Sequence, residues 1–158
     1  MPDMPVPRQV LMSVCEYHPT KGKSSYSLSY PFIFNDGGRA TSRRPRQRDD
    51  CTVRALAIAL RIPYDDAYDQ LAGAGRKCSR GFRLSDWLND QPFARRISFP
   101  AVKGERRMNP ARFCKDYPTG TYIAKVAKHT FAVVDGVVHD TFENSPDRCI
   151  YVAWEIAV

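Results

Sequence analysis

Few side chains in this 158-residue sequence can carry covalent or proton-transfer chemistry. Its thiols are Cys15, Cys51, Cys78, Cys114 and Cys149, and its imidazoles are His18, His129 and His139. Thiolate is the reactive form of cysteine, and its pKa falls beside a helix N-terminus or a cation. Cys51 has the first of these settings in its local sequence. In CTVRALAIALR the apolar residues Val53, Leu56, Ala57 and Leu60 recur at i, i+3, i+4 and i+7, which predicts a helix with one buried stripe and Cys51 in its first turn. Asp49 or Asp50 is the expected N-cap, accepting the free N–H groups that open the helix.

A nucleophilic thiol needs a base, and the region around His129 offers one. HTFAVV and VVHDTF flank Asp135-Gly136, the dipeptide favoured in two-residue hairpin turns. With that turn, position 134 faces 137 and 129 faces 142, so Asp140 lies diagonally from His129 on one face of the sheet. An acid there fixes the tautomer of the ring and leaves its other nitrogen for the thiol. The expected roles are Cys51 as nucleophile, His129 as acid/base and Asp140 as its orienter. His139 is expected on the opposite face.

Each residue also has an ordinary reading. Free cysteine is among the most buried residue types, and a strand histidine can simply pack. Cys51 precedes the apolar stripe rather than joining it, which favours the chemical role. A carboxylate close to the sulfur would raise its pKa unless it turns toward the helix N–H groups. The other four cysteines read as structural. An odd count with no C-x-x-C pair predicts reduced thiols, and the long, unpatterned spacings of Cys78, Cys114 and Cys149 do not read as a zinc site, so no metal is assigned.

The elements that must position these groups follow from periodicity and turn chemistry. Strands are expected around residues 10–14 and over 26–34, the second pushed to an edge or ended by Pro31. A second helix starts near Pro63, with Asp65 and Asp66 in its first turn and Tyr64, Ala67, Tyr68 and Leu71 on one face; Gly73 and Gly75 stop it. Residues 76–108 are Arg-rich and interrupted by Gly81, Pro92, Pro100 and Gly104, leaving a short helix around 84–88. Asn109-Pro110 reads as N-cap and first residue of a helix that reaches about Asp116. From Gly120 onward the sequence turns to strands, including CIYVAWEIAV at its end. Helices followed by an antiparallel sheet define an α+β fold, expected as one domain over 1–158.

Hydrophobic residues make up 43% of the chain and charged residues 26%, an ordinary globular composition. There is no apolar run of membrane-spanning length, and residues 1–10 lack the features of a secretory signal, so a cytoplasmic protein without a membrane partner is expected. Residues 39–61 hold seven arginines against Asp49 and Asp50, which places five of the seven net positive charges there. Residues 36–50 read as a flexible Arg-rich loop. Arg43, Arg44, Arg46 and Arg48 are its candidate anion-binding residues, suited to an acidic protein or peptide substrate and, second, to nucleic acid. The lack of aromatics between 35 and 50 weighs against single-strand readout. Glycines are too scattered to form a phosphate loop, and no cofactor is implied.

A helix-initial Cys followed late in the chain by His and an acid on antiparallel strands resembles papain-like cysteine hydrolases, through DDCTVRALAIAL and HTFAVVDGVVHDTF. The chain also resembles a family of small proteobacterial and phage proteins, through GGR at 37–39, DCTVRALAIA at 50–59, PYDDAYDQL at 63–71, PTGTYIAKVAKH at 118–129, DGVVHDT at 135–141 and RCIY at 148–151. The papain-like resemblance implies a peptidase, isopeptidase or deamidase with a Cys51–His129–Asp140 triad. It also implies an oxyanion-binding Gln before the Cys. Gln47 is the candidate, although it stands four residues ahead rather than the more usual six. Thr52-Val53 replaces the small residue and aromatic that follow the nucleophile in papain itself. The rival expectation is a non-catalytic phage or mobile-element protein that binds nucleic acid or an acidic host protein through its arginine loop.

Overall fold

The computed structural model describes residues 29–157. The strand expected around residues 10–14 lies outside the described residues, as do the start of the 26–34 strand, Cys15 and His18. Strand β1 (Phe32–Phe34) begins directly after Pro31, and a 3-10 turn follows at Arg39–Thr41. Helices α1 (Cys51–Leu60), α2 (Tyr64–Gly73) and α3 (Leu84–Asn89) come next, then strand β2 (Ala94–Ser98) and helix α4 (Pro110–Asp116). Strands β3 (Thr121–Val126), β4 (His129–Val134), β5 (Val137–Asp140) and β6 (Val152–Ile156) complete the chain.

The fold is α+β, but its sheet is not purely antiparallel. Six strands run in the order β1-β5-β4-β3-β6-β2, and β1 lies parallel to β5 while the other neighbours are antiparallel. The sheet therefore recruits an edge strand from each of the earlier regions. β2 falls where the sequence predicts only broken loop. Both Arg95 and Arg96 are exposed on this edge strand, so its hydrophobic alternation is lost.

Alternation in β3 builds two cores. Ile123, with Trp154 and Ile156, packs on the face that holds Val53, Leu56, Leu71 and Leu88 of the first three helices. Tyr122 and Ala124 point the other way, joining Phe131, Val133, Val138 and Phe113 of α4. Complete burial of side chains this size contributes roughly 1.5–3 kcal/mol each.

Two local devices hold α1 in place. It is buried continuously from Thr52 to Ala57 rather than along one stripe, because β4, α2 and the Gly37 turn all lie against it. A Cβ on Gly37, whose φ is +70°, would lie 3.1 Å from the Arg54 carbonyl oxygen, so both the backbone conformation and the close approach call for glycine. At its other end, Arg61 adopts φ 56° and Ile62 N–H donates to Ala57 O at 3.1 Å, before Pro63 turns the chain into α2. At α4, Asn109 Oδ1 accepts from Arg112 N–H at 2.8 Å, matching the expected cap.

Candidate active site

The β4–β5 hairpin turns through Asp135 (φ 49°) and Gly136 (φ 73°), the paired left-handed conformations of a type I′ turn. Val134 faces Val137 and Ala132 faces His139, so the register carries His129 and Asp140 to one face as diagonal neighbours. His129 Nε2 lies 2.5 Å from Asp140 Oδ2. The ring also hydrogen-bonds the Cys51 thiol at the opening of α1, and with Nε2 engaged by the carboxylate, Nδ1 is the nitrogen left for sulfur. Three residues separated by 78 and 11 positions thus form one hydrogen-bonded chain.

The electrostatics follow from that chain. Burial pushes the Cys51 thiol up, but the His129 hydrogen bond and charge, the Thr130 backbone N–H and the Arg54 guanidinium outweigh it, and the net pKa is lowered. Burial pushes His129 down, yet bonding and attraction to Asp140 and Cys51 raise it to about 9. Opposite displacements of the two partners favour thiolate and imidazolium together.

The acid beside Cys51 is neutralised by structure rather than by capping. Asp50 forms no side-chain cap. It accepts from Tyr64 Oη at 2.8 Å and from Arg39 Nη1 at 3.0 and 3.1 Å, with Arg54 Nε 3.5 Å away. The carboxylate is thereby turned into a cluster of donors, and the first N–H groups of α1 are left to the thiol end of the helix.

Arg54 and Asn144 were not singled out by sequence, and both belong to this assembly. Arg54 is buried between the two acids: Nε faces Asp50, Nη2 lies 3.7 Å from Asp140 Oδ1, and Nη1 donates to Thr141 Oγ1 at 2.5 Å. Asn144 Nδ2 donates to Asp140 Oδ2 at 3.2 Å, and Thr141 N–H donates to Asp140 Oδ1 at 2.8 Å. Asp140 therefore has an oxygen committed to His129 and its remaining acceptor capacity occupied. Phe142, half exposed, lies 4.8 Å from the His129 ring centre and forms an apolar wall beside it.

Gln47 does not join the triad. Its Oε1 accepts from Ser79 N–H at 2.5 Å and Arg76 Nη1 at 3.3 Å, and its Nε2 donates to Cys78 Sγ at 3.5 Å. With both ends of the amide engaged by residues 76–79, Gln47 is a strut between two loops rather than an oxyanion donor. Buried Arg76 completes the strut by donating to the carbonyls of Arg48 (3.3 Å) and Asp49 (3.2 Å). It thus supports the left-handed Asp49 (φ 47°) from which Cys51 is launched.

Beside Arg39, which is paired with Asp50, the four candidate arginines of residues 36–50 divide into two pairs. Arg44 lies 2.6 Å from Asp65 and 3.0 Å from Asp69, with its guanidinium 3.9 Å from the Tyr68 ring centre. Arg43 is also committed to Asp65 and Asp69, at 3.7 and 3.8 Å. These two tie the loop to α2; Arg44 is taken up by its acids and the Tyr68 ring, contrary to expectation, whereas Arg43 is held only loosely and stays 73% exposed. Arg46 and Arg48 are exposed.

His139 lies on the opposite face, its Nδ1 3.1 Å from Asn35 Nδ2 in a cleft of about 320 Å³ shared with Gly37, Ala57, Arg61 and Val134. Burial lowers its pKa. Cys114 is buried among aromatics with its thiol pushed up to about 12. Among the described residues, no group of three or more His, Cys, Asp or Glu side chains is placed to hold a metal ion, and no helix is long and apolar enough to cross a membrane. Comparison of the chain with protein-family models, curated proteins and solved structures gives no match.

Proposed function

We propose that this chain is a papain-like cysteine hydrolase acting on an amide or related acyl bond of a protein or peptide, without a cofactor. The observation that carries this reading is the continuous Cys51–His129–Asp140 hydrogen-bonded chain, with the thiol pKa lowered and the imidazole pKa raised to about 9. Cys51 thiolate attacks the carbonyl carbon, and the electron pair of the C=O bond moves to oxygen. The Cys51 backbone N–H at the start of α1, where helix donors are uncapped by any side chain, is the candidate oxyanion partner. Collapse of the tetrahedral intermediate expels the amine, which takes a proton from His129 imidazolium, and leaves a thioester on Cys51. Neutral His129 then removes a proton from water as it attacks the thioester, and thiolate departs. Asp140 holds the ring in position throughout, and Arg54 holds Asp140.

Peptidase, isopeptidase and deamidase chemistries share this acyl-enzyme. The rival, a non-catalytic protein that binds nucleic acid or an acidic host protein through its arginines, loses Arg44 to α2 and gives the Cys51–His129–Asp140 assembly no task. Iodoacetamide labelling followed by peptide mass mapping separates the readings. Cys51 is expected to alkylate at least about tenfold faster at pH 7 than Cys78, Cys114 or Cys149. Uniformly slow labelling of all four would sink the hydrolase reading.

A further inference from the structure

Two basic segments far apart in sequence meet at the loop that delivers Cys51. Arg48 N–H donates to Ser79 Oγ at 3.3 Å, Gln47 bonds Cys78 and Ser79, and Arg76 clasps the carbonyls of residues 48 and 49. This stitching sets Arg46 and Arg48 beside Lys77 and Arg80, and all four are exposed. None of them has an ion-pair partner among the described residues, in contrast to Arg43 and Arg44. The exposed Asp49 is the only acid in the two stretches, 46–49 and 77–80.

Resting on the hydrolase reading above, we infer that these four cations form a rim that recognises an acidic segment of the protein or peptide substrate. Arg48 is three residues from Cys51, so their α-carbons are at most about 11 Å apart. An extended peptide advances about 3.3 Å per residue. With the reach of the arginine side chains, the rim suits carboxylates roughly three to six residues from the attacked carbonyl. Acidic peptide is favoured over nucleic acid because neither stretch contains an aromatic side chain on which bases could stack, and Tyr68 beneath them is already covered by Arg44 and Arg76. The cations lie on the surface, so their attraction is strongest at low salt and steers encounter as well as holding the complex.

The test uses the full chain carrying Cys51→Ala, so that turnover cannot interfere. A fluorescein-labelled decapeptide carrying four Glu is compared by anisotropy with its four-Gln counterpart and with a ten-nucleotide single-stranded RNA. The acidic peptide is expected to bind about tenfold more tightly than the neutral one, with the advantage shrinking between 20 and 200 mM salt. The variant R46Q/R48Q/K77Q/R80Q should lose about tenfold in that binding. A control of equal charge change, R95Q/R96Q/K103Q/R112Q, should stay within about twofold. Equal binding of the two peptides, equal loss in both variants, or tighter binding of RNA than of the acidic peptide would each overturn the inference. Cys51 labelling is measured separately on the unmodified chain. Slow labelling with intact rim binding condemns the hydrolase reading, and fast labelling with absent rim binding condemns only the substrate assignment.

Discussion

His129 and His139 sit on the two arms of one hairpin, both are largely withdrawn from water, and their basicities move in opposite directions. Burial opposes the charged ring in both. At His139 nothing offsets it, because the partner found there is the neutral amide of Asn35, and the pKa falls. At His129 the partner is a carboxylate 2.5 Å away, with the Cys51 thiol on the other side, and the pKa rises to about 9. Withdrawal from water alone makes an inert ring. Withdrawal beside a positioned carboxylate and a thiol makes a ring more basic than usual and lowers the thiol pKa.

The largest expected effect breaks the comparison directly. His129→Ala removes the hydrogen bond and the cation that favour thiolate, so Cys51 alkylation at pH 7 should fall about 100-fold, whereas His139→Ala should leave it within about twofold. The measurement is the pseudo-first-order rate of Cys51 modification by iodoacetamide. Equal losses in the two variants would mean that the hairpin acts on Cys51 only through its packing.

A smaller effect is expected one step further back. Arg54 lies between Asp50 and Asp140 and, among the described residues, is the side chain that joins the two acids. Removing one member of a buried ionic group leaves the others uncompensated. Arg54→Gln should therefore lower unfolding stability by about 3 kcal/mol in urea titrations. It should also shift the pH dependence of Cys51 alkylation to higher pH, because the guanidinium is one of the groups that lower the thiol pKa. Arg54→Lys keeps the charge but not the fork that reaches two acids, and should recover the pH profile more fully than the stability. A loss of stability with an unchanged profile would leave Arg54 as packing alone.

The difference between the two histidines was legible because a hairpin with a two-residue turn fixes register over its length. Asp135-Gly136 sets Val134 opposite Val137, and the placement of His129, Asp140 and His139 on their faces follows from alternation. The opening of α1 at Cys51 was legible from its apolar spacing and the acids before it. Arg54 was not. Its burial comes from the Gly37 turn on one side and from Thr141, 87 residues away, on the other, neither of which periodicity within α1 can report. Gln47 was a candidate only by residue type and rough position, four residues before Cys51 rather than six, and its side chain is fixed by residues 76–79, about thirty positions downstream. Arg43 and Arg44 belonged to a visible charge cluster, but of their partners Asp65 was read only as a first-turn acid of α2 and Asp69 was not singled out. Register and turn chemistry are local and readable. Side-chain networks closed by tertiary contacts are not.

The smallest effect sharpens the comparison through stability against pH. His129 has a folded pKa of about 9, above its ordinary 6.5, so protonation favours the fold. Its contribution is complete below about 6.5 and is lost as pH rises through about 9. His139 has a folded pKa below 6.5, so its neutral form favours the fold. Its contribution is present above 6.5 and is lost as pH falls through its folded pKa. Relative to the unsubstituted chain, His139→Gln should thus look less destabilised at pH 5 than at pH 7.5, by under about 1 kcal/mol, because the variant no longer suffers the loss on acidification. His129→Gln should show the opposite trend on the alkaline side, with a larger deficit at pH 6.5 than at pH 9.5. Urea midpoints for the two variants at pH 5, 6.5, 7.5 and 9.5 give both trends. Deficits that change with pH in the same direction would show that the carboxylate beside His129 and the amide beside His139 do not set the two rings apart.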